Sequence, residues 1–450
     1  MSRRDLFGPR LTVSLPARLA PFRWTMGATG GLVTASVLTS ATGFVFWWIA
    51  ARQYPPAAVG LAGAAVSAML LLSQISVFGL GTALAGVLHR EPRAASLAAT
   101  AMMATGLVGL LLGLTFGVLA PLVSSELRPI IVTPLALAIF VAGVGVTALT
   151  AVLDQVLVSM SRQLLQLARN VIFGFGRLPI LVLAAALIAR DGMAIYSAWF
   201  LGTVVSLGVI VALVHNGRLT GGVRPLVWSR LREMASDALA HHVVNLSRSA
   251  SVWLLPLLVT VTLSREANAG FYVAFLMSNL ILLVGKEATF TLYIAGARAP
   301  EGLWRQVRFT IGLTAGTAIL GTLALTVAGR PLLSVFGESY AASAYPTVAI
   351  LALSALPVLV KDHWIAIHRI RGSVSKAAVV GVVTMIMEFA AAALGAVWAG
   401  LEGFAIARLA ALLLQAAFMA PMLVGSMARP AEAASAASVG SVDRGEEDQR

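Results

Sequence analysis

The chain has 450 residues, 59% of them hydrophobic and 11% charged, with a formal net charge of +13. That balance excludes a soluble globular protein. The basic surplus is no nucleic-acid footprint, because the arginines fall between apolar runs where membrane topology calls for them, and the lack of cysteine excludes disulfides, thiolate metal sites and cysteine nucleophiles.

Residues 1–25 carry Arg3, Arg4, Arg10, Arg18 and Arg23 against Asp5 alone. They read as a cytoplasmic arm, too long and too broken for the basic start of a signal peptide. With a span taken as about 20 apolar residues, twelve spans follow. They lie near 26–51, 57–88, 95–122, 129–158, 164–189, 193–214, 238–263, 267–296, 309–328, 341–360, 377–399 and 403–426. Arg177 interrupts the fifth, and Lys361 clips the end of the tenth. The first two spans form a hairpin around Arg52-Gln53-Tyr54-Pro55-Pro56, and Trp47 and Trp48 stand where an aromatic belt is expected.

The hairpin has a second copy about 210 residues later. Gly60 falls on Gly270, Leu70 on Leu280 and Ala85-Gly86 on Ala295-Gly296. Pro121-Leu122 falls on Pro331-Leu332 and, with a slip of two, Asp154 on Asp362. Register held over so long a stretch predicts a parallel repeat. The expected organisation is a first lobe at 26–214, a cytoplasmic inter-lobe loop at 215–237, a second lobe at 238–426 and a disordered tail at 427–450. The fold class is therefore an all-α integral membrane protein of twelve transmembrane helices in two six-helix lobes.

With the amino terminus inside, the alternate loops hold Arg90 and Arg93, then Arg162 and Arg169, then Arg218, Arg224, Arg230 and Arg232. Arg298, Arg305 and Arg308 follow, then Lys361, Arg369, Arg371 and Lys376. The remaining loops hold single arginines at 52, 128, 190, 265 and 330. The asymmetry fits the positive-inside rule with both termini cytoplasmic. The outer loops are too short to carry catalysis, so no enzymatic activity, cofactor or metal is expected. His241 and His242 point about 100° apart on a helix and do not chelate together.

Charges within spans are costly and face protein or water. Arg177, Arg248 and Lys286 form a cationic set, with Glu287 and Glu388 as partners; Asp154 and Asp362 sit where an inner gate would close. Arg408, a few residues from the outer face, is expected to snorkel. A positively lined chamber between lobes suits a phosphate or pyrophosphate, which guanidinium binds in bidentate fashion. The competing reading makes Arg248–Glu287 and Arg177–Glu388 buried ion pairs that only hold helices together, and gives Asp154 and Asp362 to Arg162 and Arg369.

The stretches TGFVFWWIAARQYPPAAVGLAGAAVSA, FGLGTAL, LDQVLVSMSRQLLQLARN and HHVVNLSRSASVWLLPLLVTVTLSREANAGFYVA resemble bacterial polysaccharide-biosynthesis membrane proteins. These belong to the multidrug/oligosaccharidyl-lipid/polysaccharide (MOP) exporter superfamily, and the similarity runs over about residues 26–425. The resemblance implies a MATE-like fold in the bacterial plasma membrane. It implies a flippase moving an undecaprenyl-pyrophosphate-linked oligosaccharide by alternating access, with that lipid-linked glycan, membrane lipids and other polysaccharide-synthesis proteins as partners. The alternative within the superfamily is a drug/cation antiporter. Such antiporters usually rely on an acid in the first span, and Met26 to Ala51 has none.

Overall fold

Long apolar helices dominate the chain, and several of their ends fall at proline or glycine, as at Pro55-Pro56, Gly79 and Gly400. The computed structural model describes residues 23–88, 91–160, 162–216, 226–298 and 303–428. The arm before Arg23, the 217–225 stretch of the inter-lobe loop and the tail after Ala428 lie outside the described residues. Among those described there is no strand. Thirteen α-helices follow in order: α1 Arg23–Gln53, α2 Pro56–Val77, α3 Leu80–Val87, α4 Ala94–Val123, α5 Pro134–Ser159, α6 Gln163–Leu187 and α7 Gly192–Asn216. The second half holds α8 Trp228–Thr262, α9 Arg265–Arg298, α10 Leu303–Ser334, α11 Glu338–Leu353, α12 Ala355–Ile370 and α13 Val374–Ala428.

The hairpin turn behaves as its residues demand. Pro55 is extended and Pro56 takes the first helical position of α2, where its missing N–H costs nothing. At the far end of α2, Phe78 and Gly79 both adopt positive φ, 47° and 73°, so the second leg is broken into α2 and α3. Ser354, itself in helical geometry, joins α11 and α12 into one tenth leg. In α13, Ala399 and Gly400 leave helical geometry and the chain folds back, so this helix supplies two legs. The legs cross so closely that a Cβ on Gly395 would meet the Gly403 carbonyl oxygen at 2.1 Å.

Nine described helices, or ten with the bent α8 as one span, are long and apolar enough to cross a membrane. The count is compatible with the twelve legs expected without matching it: α1 is not among these spans, and α13 qualifies as a single one although it folds back on itself. The chain is a multi-pass membrane protein. Two boundaries differ from the sequence reading. The tenth leg runs from Glu338 to Ile370, so Lys361, Asp362, His363 and Arg369 lie inside it rather than beyond its end. Arg177 does not interrupt the fifth: α6 passes straight through it.

One apolar core runs through both halves at the Pro55 end, joining Trp47, Val59, Val66 and Tyr196 to Leu255, Phe271, Phe336 and Phe404. At the opposite end the core divides. Leu80, Leu84, Leu97 and Val152 of the first half cluster with Leu231, the first turn of α8. Val244, Leu292, Trp364 and Met419 form a separate cluster in the second.

The repeat-related helices α2 and α9 meet across the junction. A Cβ on Gly60 would stand 1.7 Å from the Arg265 carbonyl oxygen, so only glycine permits the approach. The buried Asn268 donates from Nδ2 to the Gly60 carbonyl at 2.8 Å. Arg265 Nε meets Glu126 Oε2 at 2.8 Å, and Arg52 Nε and Trp48 Nε1 donate to the Val335 carbonyl at 2.8 and 3.0 Å. Trp48 is therefore tied to the junction, and Trp47, 1% exposed, belongs to the core rather than to an aromatic belt.

Candidate functional site

Three helices of the second half bring their polar faces together near the end where the cores divide. Helical spacing explains the grouping. Asn245 and Arg248 are three apart on α8, Lys286 and Tyr293 seven apart on α9, and Asp362 and Arg369 seven apart on α12; each pair shares a face. Arg248 Nε lies 3.3 Å from Asp362 Oδ1, with side chains 25% and 16% exposed. Arg369 Nη1 donates to Asn245 Oδ1 at 3.5 Å, and its guanidinium carbon sits 4.5 Å from the Tyr293 ring centre. Arg369 Nε is buried without a hydrogen-bond partner, and among the described residues the side chain has no carboxylate partner. Lys286 is exposed, two turns from Tyr293, and no ion pair of it is found among the described residues. The group thus holds three cations and one carboxylate, Asp362, which is paired with Arg248, a surplus fit for an anion.

Arg369 is the member that reading the sequence missed, having been assigned to a loop. Its seven-residue spacing from Asp362 was the available signal. A small cleft beside this group is lined by Gly285, Thr289 and Thr314 together with Asp362 and His363. His363 is held by the Leu359 carbonyl and by Thr310 Oγ1, at 3.0 and 3.2 Å.

The remaining candidates pair otherwise than expected. Glu287 accepts from Ser36 Oγ of α1 at 3.0 Å instead of holding Arg248. Glu388, fully buried, lies between Lys361 and Arg408, whose Nη2 is 3.5 Å away, and not beside Arg177. Arg408 does not snorkel: it is 6% exposed and faces inward. Asp154 takes the fork of Arg169, which also donates to Asn170 Oδ1 at 2.7 Å, and Asp362 takes Arg248. Arg162 and Arg369 are thus not their partners, and each aspartate is tied within its own half.

Arg177 stands apart from Arg248 and Lys286. It is 2% exposed, in the first half, with its guanidinium carbon 4.1 Å from the Trp199 ring centre, 4.4 Å from Phe173 and 4.9 Å from Phe46. Gly202 admits it: a Cβ there would meet the Arg177 Cβ at 2.7 Å. Its Nε and Nη1 have no hydrogen-bond partner among the described residues. An unpaired guanidinium at this depth costs roughly 2.5–3.5 kcal/mol on insertion scales. Ring faces return about 0.5–2 kcal/mol each, so the aromatic surroundings offset the cost without an acid.

No group of three or more metal-ligating side chains occurs among the described residues. No family model matches the chain, and no curated protein matches its sequence. Solved structures do match. The chain is similar to an inward-facing MATE family transporter of the MOP superfamily, with a TM-score of 0.65 at 15% identity over 86% of this chain and 95% of that one. An outward-facing MATE transporter matches with a TM-score of 0.64 at 14% identity, covering 90% and 96%. A MOP superfamily transporter from Pyrococcus furiosus, whose reversed binding-pocket polarity is taken to suggest a different function, matches at 0.60 and 13%, covering 90% and 97%. At these identities the likeness establishes the fold. The chain is an all-helical membrane protein with the architecture of MATE transporters, as its sequence led one to expect.

Proposed function

We propose that this protein flips an undecaprenyl-pyrophosphate-linked oligosaccharide across the bacterial plasma membrane, from the cytoplasmic to the outer leaflet, as its two halves alternate access. The observation that carries this reading is the surplus of positive charge at Arg248, Lys286 and Arg369. A pyrophosphate brings several oxygen acceptors, and two guanidinium groups on converging faces match them. The lipid tail stays in the bilayer while the head crosses. The end where the cores divide is the cytoplasmic one on this reading, since the arginine-rich loops lie there. The reversed pocket polarity of the Pyrococcus furiosus neighbour, taken to suggest a different function for that protein, is a precedent for reading function from pocket charge within this fold.

The reading is tested by binding. Purified protein is expected to bind a labelled lipid-pyrophosphate oligosaccharide saturably and in a salt-sensitive way. The folded R248A/R369A double variant should bind at least about tenfold more weakly, a loss of the size that charged hydrogen bonds carry. Saturable binding of a lipophilic cationic dye, with none of the glycan lipid, would favour the drug/cation antiporter instead.

A further inference from the structure

A guanidinium ringed by three aromatic faces, with no carboxylate beside it among the described residues, is arranged as a bound organic cation would be. In this protein the cation is covalently attached. We infer that Phe46, Phe173 and Trp199 form a cation-binding box in the first half, kept filled by the protein's own Arg177, and that Arg177 thereby bars small organic cations of the guanidinium or quaternary ammonium class.

The box is built from three helices. Phe46 comes from α1, Phe173 and Arg177 from α6 one turn apart, and Trp199 from α7. The rings hold one another edge-on. Phe46 and Trp199 are 5.3 Å apart at 86°, and Phe173 and Trp199 are 5.5 Å apart at 71°. The faces turned toward Arg177 are thereby fixed before any cation arrives, the arrangement by which aromatic cages recognise quaternary ammonium groups. Two further features match a box shaped around a guanidinium. Gly43 leaves ordinary contact room beside Nη2, where a Cβ would stand 3.6 Å away, and Gly202 lets the Arg177 stem lie against α7. Nε and Nη1 are buried without a hydrogen-bond partner among the described residues, so hydrogen bonds from these two atoms do not place the group.

Truncating Arg177 at or near Cβ empties a space of guanidinium size lined by the same rings. The inference stands on that geometry. It rests on the transport reading only for its consequence, that cationic cargo is refused, and binding is therefore measured apart from transport. The melting temperature of detergent-purified R177A is followed against methylguanidinium and tetramethylammonium, with tert-butanol as a neutral probe of similar bulk. The expected result is saturable stabilisation of R177A by the cations, with an apparent affinity at least about tenfold above that of the wild-type chain, the gain a desolvated aromatic site confers. R177M, which fills the space without charge, should gain nothing, and W199L in the R177A background should remove the gain. If R177A fails to accumulate, R177V, which frees the guanidinium space while filling more of the room the stem occupied, carries the same test. No cation-dependent stabilisation in the truncated chain, or equal stabilisation by tert-butanol, overturns the inference. Neither outcome bears on glycan-lipid binding at Arg248 and Arg369.

Discussion

At the scale of single residues, the most exacting demand in the molecule is Glu388. Its carboxylate serves two cations, Lys361 and Arg408, that are themselves buried. Removing one partner of a buried ionic group leaves uncompensated charge, a cost of about 3–5 kcal/mol. E388Q is therefore expected to lower the melting temperature sharply. E388Q combined with K361M should recover part of the loss, because one stranded cation is then gone. A melting temperature for E388Q equal to wild type would mean that the cluster does not hold α12 to α13. Arg369 belongs to a different class. It is short of partners and lies beside the partly exposed Arg248, so R369A is expected to keep the fold and weaken anion binding, measured as thermal stability against glycan-lipid affinity.

At the scale of elements, α2 and α9 form the hinge of the account, since their contact at Gly60 leaves no room for a side chain. G60V is expected to separate the two helices at the Pro55 end. The chain has no cysteine of its own, so E126C with R265C gives a clean pair for a short thiol crosslinker. High crosslinking yield is expected while Gly60 is kept and a severalfold drop when G60V is added; an unchanged yield would contradict the close approach. The elements were largely legible in the sequence because hydropathy reports burial in lipid one window at a time. The tenth leg shows where that fails. Lys361-Asp362-His363 reads as a polar stop, yet Glu388, Arg248 and Thr310 satisfy the three side chains from other helices. Partners that distant in sequence are invisible to a window. The same limit hid the aromatic box: the depth of Arg177 follows from its place in a span, but Phe46 and Trp199 come from helices more than 130 and 20 residues away. The shared face of Asp362 and Arg369 was open to reading, and was obscured only by ending the span too early.

At the scale of the whole molecule, one core spans both halves at the Pro55 end, while at the other end the core divides into two clusters, the first of which still takes in Leu231 of α8. A packed core resists deformation, so two bodies that share a core at one end and divide it at the other are suited to move as units rather than by internal repacking. Reporter fusions at the two termini check the orientation assumed: both are expected on the cytoplasmic side, and termini on opposite sides would reverse the reading of which end is charged. The central claim is that a surplus of cations in the second half carries a phosphorylated lipid head between leaflets. Reconstituting the protein into vesicles and following a fluorescent undecaprenyl-pyrophosphate oligosaccharide from one leaflet to the other tests it most directly. Wild-type protein is expected to move the lipid well above the protein-free rate, and R248A/R369A to move it no faster than empty vesicles; full transport by that folded double variant, or none by the wild type, would contradict the account.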